Sequence, residues 1–163
     1  MNDVEKILAI EEIKQLKARY FRTMDTKDWD QFRTIFTEDA TVDSSEAFTP
    51  RDFAGNPIEP GLPVQEPDPE LIVHGVDNFI AEQHRHLDNM STVHHGHMPE
   101  ITIVSDTEAT GIWSMEDKLR WPEGAGPMRE MHGYGHYRET YKKIDGEWRI
   151  ASLKLTRIRI DAV

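Results

Sequence analysis

The chain has 163 residues, no cysteine and a formal net charge of −11. That length suits one domain with its own core. The missing cysteine removes disulfides, thiol nucleophiles and thiolate metal sites, and the acidic balance argues against nucleic acid as a partner. No run of about 18 apolar residues is present, which excludes a helical membrane span. The N-terminal MNDVEKILAI has charges inside its apolar stretch, unlike a signal peptide, so a cytoplasmic protein is expected.

In chain order, Val4, Ile7, Leu8, Ile13, Leu16 and Tyr20 read as the apolar stripe of a helix that runs to about Met24. Asn2 or Asp3 caps its start and Glu5 suits its first turn. Asp28 caps a second, short helix that buries Trp29, Phe32, Ile35 and Phe36. A short extended piece follows near Ala40–Asp43. Residues 44–70 hold six of the nine prolines, a density that neither helix nor sheet survives. A loop of that length in a compact domain is commonly a lid or binding loop. Its apolar Phe48, Phe53, Ile58 and Leu62 give it something to pack, so it reads as a lid that sets substrate size. A helix over about Val76–Asn89 carries Phe79, Ile80 and Leu87 inward and solvated His84 and His86 outward.

The rest reads as antiparallel strands: Thr92–Ser105, bent at Gly96 or Pro99, then Glu108–Trp121, Met128–Ile144 and Glu147–Ile160. Asp145-Gly146 is a two-residue hairpin turn. Helices first and a meander afterwards give an α+β domain over 1–163, with helices on one face of a curved, mostly antiparallel sheet.

Strand parity exposes two anomalies. Asp117 shares a row with Ala109, Gly111, Trp113, Met115 and Leu119. Arg157 continues the row Ala151, Leu153, Leu155. An inward carboxylate and an inward guanidinium need partners, either each other or a substrate oxygen. Tyr20 brings a hydroxyl onto the buried stripe, and Asp25 closes the first helix. His94, His95 and His97 crowd one strand, but parity sends His94 and His95 to opposite faces. No closed ligand set is apparent, so no metal is expected. No Gly-rich phosphate loop is present either, and no cofactor is expected.

Three stretches carry a resemblance: EIKQLKARYFRTMDTKDWD (12–30), HHGHMPEITIVSDTEATGIWSMEDKL (94–119) and YKKIDGEWRI (141–150). With them the chain resembles the SnoaL-like branch of the nuclear transport factor two-like superfamily. Within that branch it is most similar to the bacterial bile acid 7α-dehydratases and more distantly to the scytalone dehydratases. The resemblance implies a cone-shaped fold, a cofactor-independent hydro-lyase and a homo-oligomer, a trimer before a dimer. Position by position it implies Tyr20, Asp25, His94, Asp117 and Arg157 as the catalytic set, two of them the residues that broke strand parity. Trp113, Met115, Leu153, Leu155, Phe48 and Phe53 are expected as pocket walls around a small, apolar hydroxy or keto compound. The 44–70 loop exceeds the corresponding family segment, so bile acid itself is not carried over. A double-bond isomerase or polyketide-type cyclase could use the same residues, and a non-enzymatic binding or accessory subunit is the reading from another class.

Overall fold

A computed structural model describes residues 1–52, 54, 56–58, 66–125 and 129–162. Helix α1 (Asp3–Asp25) opens on a capping box, in which the Asn2 side chain accepts from the Glu5 amide and the Glu5 carboxylate from the Asn2 amide. α2 (Trp29–Arg33) is capped by Asp28. β1 (Phe36–Asp43), a single 3-10 turn (Pro69–Leu71), β2 (Ile72–His74) and α3 (Val76–Leu87) follow. Then come four long strands: β3 (Ser91–Ile103), β4 (Glu108–Arg120), β5 (Glu130–Ile144) and β6 (Glu147–Ala162). The architecture is α+β, a curved six-stranded mixed sheet with few helices. The order is β2-β1-β6-β5-β4-β3, with only the β1–β6 pair parallel. No described helix is long and apolar enough to cross a membrane.

Strand β4 alternates a buried inward row, Ala109 to Asp117, with more exposed outward residues, as its sequence demands. Three local expectations fail for identifiable reasons. Val4, Ile7 and Leu8 are exposed, and the buried stripe of α1 is Ala9, Ile13, Leu16, Lys17, Tyr20 and Met24. The step from Leu8 to Ile13 is five residues, which turns a helix about 140° away from its previous face. β1 begins at Phe36 rather than Ala40, and β2 with its 3-10 turn closes the Pro-rich segment. On β6, Tyr141 pairs with Ile150 and Thr140 with Ser152, so Ala151 is the extra residue of a bulge. Trp148 and Ile150 face inward before that bulge, and Leu153 and Arg157 after it.

The bend of β3 also lies where glycine and proline allow it, between Gly96 and Pro99. α1 lies across the concave face, and Tyr20, Phe32 and Phe79 meet there around Phe36, each edge-to-face with it. The inward row of β5 is unusual: Met131, Gly133, Gly135, Tyr137, Glu139 and Tyr141. Gly133 separates Asp117 on β4 from Arg157 on β6. A Cβ there would overlap Asp117 Oδ1 and Arg157 Nε. The missing side chain is what lets an ion pair span from β4 to β6 across the intervening strand.

Gly133→Ala should therefore cost about 3 kcal/mol of stability, as overpacking and a disturbed buried charge pair combine. Urea denaturation of the two proteins checks this. An alanine variant as stable as the parent would show that the pair does not need the gap.

Candidate active site

Tyr20, His94, Asp117, Arg157, Leu153 and Leu155 line one cavity of about 260 Å³ under the concave face. Its floor comes from α1 and β5 through Tyr20, Met24 and Tyr137, and its walls from Val42, Val73, Phe79 and Leu119. Ser44, Ala47, Phe48 and Glu70 close one side, so both ends of the Pro-rich segment reach the cavity. Phe53 and Leu62 lie outside the described residues. The described middle turns back on itself through an Arg51–Pro57 bridge, and the Arg51 amide donates to the Arg157 carbonyl at 2.7 Å.

His94 and Asp25 form a pair. Asp25 Oδ1 is 2.7 Å from His94 Nδ1, and Asp25 Oδ2 accepts from the His94 backbone amide at 2.8 Å. Thr92 donates to Asp25 Oδ1 at 2.9 Å. Burial works to raise the Asp25 carboxyl, but the hydrogen bonds from His94 and Thr92 outweigh it and hold it below the ordinary carboxylate value. An ionised Asp25 can only accept, so Nδ1 carries the proton. Asp25 is not among the cavity-lining residues, whereas His94 is. Nδ1 therefore faces away from the cavity, and Nε2 is the ring nitrogen left on the cavity side. The His94 side chain is only 7 % exposed.

Asp117 is the cross-strand neighbour of His94, yet it pairs with Arg157 instead. Arg157 Nη2 donates to Asp117 Oδ2, and Nη1 donates to the Ala47 carbonyl at 2.9 Å. Both terminal nitrogens of the guanidinium are thus engaged inside the protein. The Phe48 ring lies 5.9 Å from the guanidinium carbon.

Two expected wall residues are elsewhere. Trp113 and Met115 are buried in the core, not on the cavity. The inward row of β4 runs from the closed end of the sheet to the cavity, and only Asp117 and Leu119 lie far enough along it. Trp113 instead donates its indole N–H to Tyr141 at 2.8 Å. His86 is exposed, as expected, and with Glu82 and Gln83 it also lines the cavity mouth from α3. His94 and His95 do face opposite sides of β3, and His95 meets Glu116 at 2.9 Å. Among the described residues no three His, Asp or Glu side chains converge as metal ligands.

Sequence reasoning missed Tyr137, Lys17 and Glu139. The Tyr20 hydroxyl is hydrogen-bonded to that of Tyr137, and burial pushes both phenols well above their ordinary values. Both therefore stay protonated donors at neutral pH. Fully buried Lys17 lies 3.7 Å from the Tyr20 ring centroid and 3.9 Å from that of Tyr137, and it pairs with Glu139. Desolvation lowers Lys17 to about 8 against the opposing pull of Glu139. The signal was present, since Lys17 falls between Ile13 and Tyr20 on the helix stripe.

Residues 5–154 match the family described as SnoaL-like domain. A probable cyclase of Gibberella zeae is 27% identical over 146 residues, 90% of this chain and 89% of that protein. A protein assigned as a scytalone dehydratase, from Novosphingobium aromaticivorans, superposes with a TM-score of 0.76 at 19% identity, covering 100% of this chain and 92% of its own. A hexachlorocyclohexane dehydrochlorinase (LinA type 2) superposes with a TM-score of 0.73 at 16% identity, covering 99% and 93%. At these identities the two superpositions show a common fold.

The Asp25 geometry has a consequence for acid stability. Its folded value lies below the ordinary 3.8. Between those values the unfolded chain binds more protons, so stability rises with pH there. The contribution of Asp25 should be complete above pH 3.8 and lost as pH falls through the folded value. Unfolding free energies of the parent and Asp25→Asn should differ by a constant amount near neutrality and converge in acid. A deficit that grew on acidification would contradict an ionised Asp25.

Proposed function

This chain belongs to the SnoaL-like domain family, and from its cavity we propose that it is a cofactor-independent lyase of the dehydratase kind, working by acid–base proton transfer. The observation that carries the reading is the orientation of His94: Nδ1 anchored to an ionised Asp25, and the other ring nitrogen left on the side of a mostly apolar cavity. A general base needs that arrangement, because the carboxylate fixes the tautomer and steadies the imidazolium that forms.

The steps follow from placement. His94 Nε2 takes a proton from carbon next to a carbonyl, and the C–H pair becomes the new double bond. Tyr20, backed by Tyr137, donates to the oxygen on which charge develops. The C–O bond to the leaving hydroxyl then breaks, and His94 returns its proton so that water departs. Against the apolar walls of the cavity each polar contact is worth more than it would be in solvent. The Asp117–Arg157 pair is read as a wall and an anchor for Ala47, since the guanidinium charge is already met by Asp117 and its other terminal nitrogen by the Ala47 carbonyl.

The substrate is read as uncharged and compact. A free cation for a carboxylate is not offered by Arg157, and Glu70 and Glu82 stand at the mouth. The volume falls just under the usual range for ligand pockets, roughly 300–1,000 Å³. A cyclase or double-bond isomerase is the second reading, favoured by the likeness to the Gibberella zeae probable cyclase. Both begin with the same proton removal.

Turnover of a panel of small cyclic β-hydroxyketones, followed by enone absorbance, tests the reading. His94→Ala should lose about 10²–10⁴ in rate while keeping the fold, the usual worth of a positioned base. His95→Ala, on the outer face, should keep the parent rate. Full turnover by His94→Ala would return the chain to a binding role.

A further inference from the structure

We infer that Lys27 is a positioning residue for the His94–Asp25 pair: a left-handed turn delivers its ammonium to Thr92, which hands a hydrogen bond on to the Asp25 carboxylate. The inference rests on the acid–base reading above, and it brings in two residues, Lys27 and Thr92, that lie outside the expected catalytic set.

The first argument is the backbone. α1 ends at Asp25 with Thr26 as its C-cap, and the next residue, Lys27, has φ of 59°. The Asp28 amide bonds back to the Thr23 carbonyl at 2.9 Å and the Lys27 amide to that of Met24 at 3.2 Å. This closure requires one left-handed residue, and glycine meets the requirement without strain. A residue with a Cβ costs roughly 1–2 kcal/mol there. The turn alone therefore favours glycine, and the lysine is explained by what its side chain does.

The second argument is the direction of the hydrogen bonds. Lys27 Nζ is 2.6 Å from Thr92 Oγ1. An ammonium only donates, so Thr92 accepts there and its one proton is left for Asp25 Oδ1, 2.9 Å away. Asp25 Oδ1 also accepts from His94 Nδ1. The chain Lys27→Thr92→Asp25←His94 has no freedom to reverse. It fixes the carboxylate plane and puts a cation behind it.

The charge of Lys27 opposes imidazolium formation at His94 and tempers the pull of Asp25. Among the other groups around the cavity, Glu70 adds a carboxylate at the mouth. Asp117 and Arg157 neutralise one another across β5, Tyr20 and Tyr137 stay protonated, and Glu82 and His86 pair with each other at the mouth at 3.2 Å. Asp88, beyond α3, acts on Lys27 through space and pairs with His84.

The test follows the His94 imidazole by NMR titration from about pH 5 to 9, its signal identified by loss in His94→Gln. No substrate is needed, so a failed turnover panel and a failed titration are separate results. Lys27→Gly keeps the turn and should be at least as stable as the parent. It should nevertheless raise the His94 midpoint by about half a unit, a threefold change in proton affinity, as expected when a unit charge several ångströms away is removed. Lys27→Met should raise it equally, and Lys27→Arg should restore the parent value. Thr92→Val should shift it in the same direction. An unchanged midpoint in Lys27→Gly and Lys27→Met overturns the inference, as does a His94 that fails to titrate in the parent and in both variants.

Discussion

The ion pair between Asp117 and Arg157 is the constraint on which the cavity depends. Two charges removed from water are stable only when they are paired and hydrogen-bonded, and breaking such a pair costs about 3–5 kcal/mol. Here the partners sit on strands that are not neighbours. Strand β5 must pass beneath them without a side chain, and it does so at Gly133. The pair then ties β4 to β6 across the concave side. Its second guanidinium nitrogen holds the Ala47 carbonyl, which draws the start of the long loop over the sheet. Phe48 comes to the cavity with it. One electrostatic requirement thereby accounts for a glycine in β5 and for the position of the loop's start.

Polar groups in this core are arranged in tiers. At the closed end, Lys17, Glu139, Tyr141 and Trp113 form a connected network, with Tyr141 donating to Glu139 and accepting from Trp113. Above it the Lys17 ammonium rests on the faces of Tyr20 and Tyr137, where the ring quadrupoles attract a cation. The two hydroxyls sit above those rings, facing the cavity. Next come His94 with Asp25 and then the mouth. The Lys17 ammonium against their rings and the bond between their hydroxyls hold the two tyrosines in place. Such preorganisation matters, because donors that must reorient during a reaction contribute little to its rate.

Much of this could be read from the chain by asking which residues break a periodic row. Asp117 and Arg157 were found that way, and the α+β order of elements followed from helix and strand periodicity. The same question applied to α1 and β5 points to Lys17 and Glu139, each a charge on an inward row. What parity cannot supply is depth. It told which face Trp113 and Met115 occupy, but not that they lie in the core short of the cavity. It is also blind to bulges, which is why Ala151 fell out of its row. Pairing between distant segments is silent for another reason. Val42, Val73 and Phe79 become walls only because β1 runs parallel to β6 and β2 folds back on β1, and no local pattern encodes that register. The Lys27 turn was hidden because lysine carries no left-handed preference of its own.

The proposed chemistry has one branch point, and the geometry bears on it. After His94 removes a proton, lyase, isomerase and cyclase share the same stabilised anion. They part according to what receives the electron pair. An elimination needs a leaving hydroxyl on the adjacent carbon and a returning proton from the same face, which a single histidine can supply. An isomerisation delivers the proton to a carbon two bonds away, so the base serves two positions there as it does in elimination. Here the imidazole is held through Nδ1, and Asp25 is held in turn by Thr92 and the His94 backbone amide, which leaves the ring little freedom to swing. A closing ring needs space for a chain to fold, whereas about 260 Å³ favours a compact substrate already cyclic. On the proposed acid–base reading the small cavity sets cyclisation apart from the other two, whereas a fixed base serves elimination and isomerisation alike, since each moves one proton between two nearby positions.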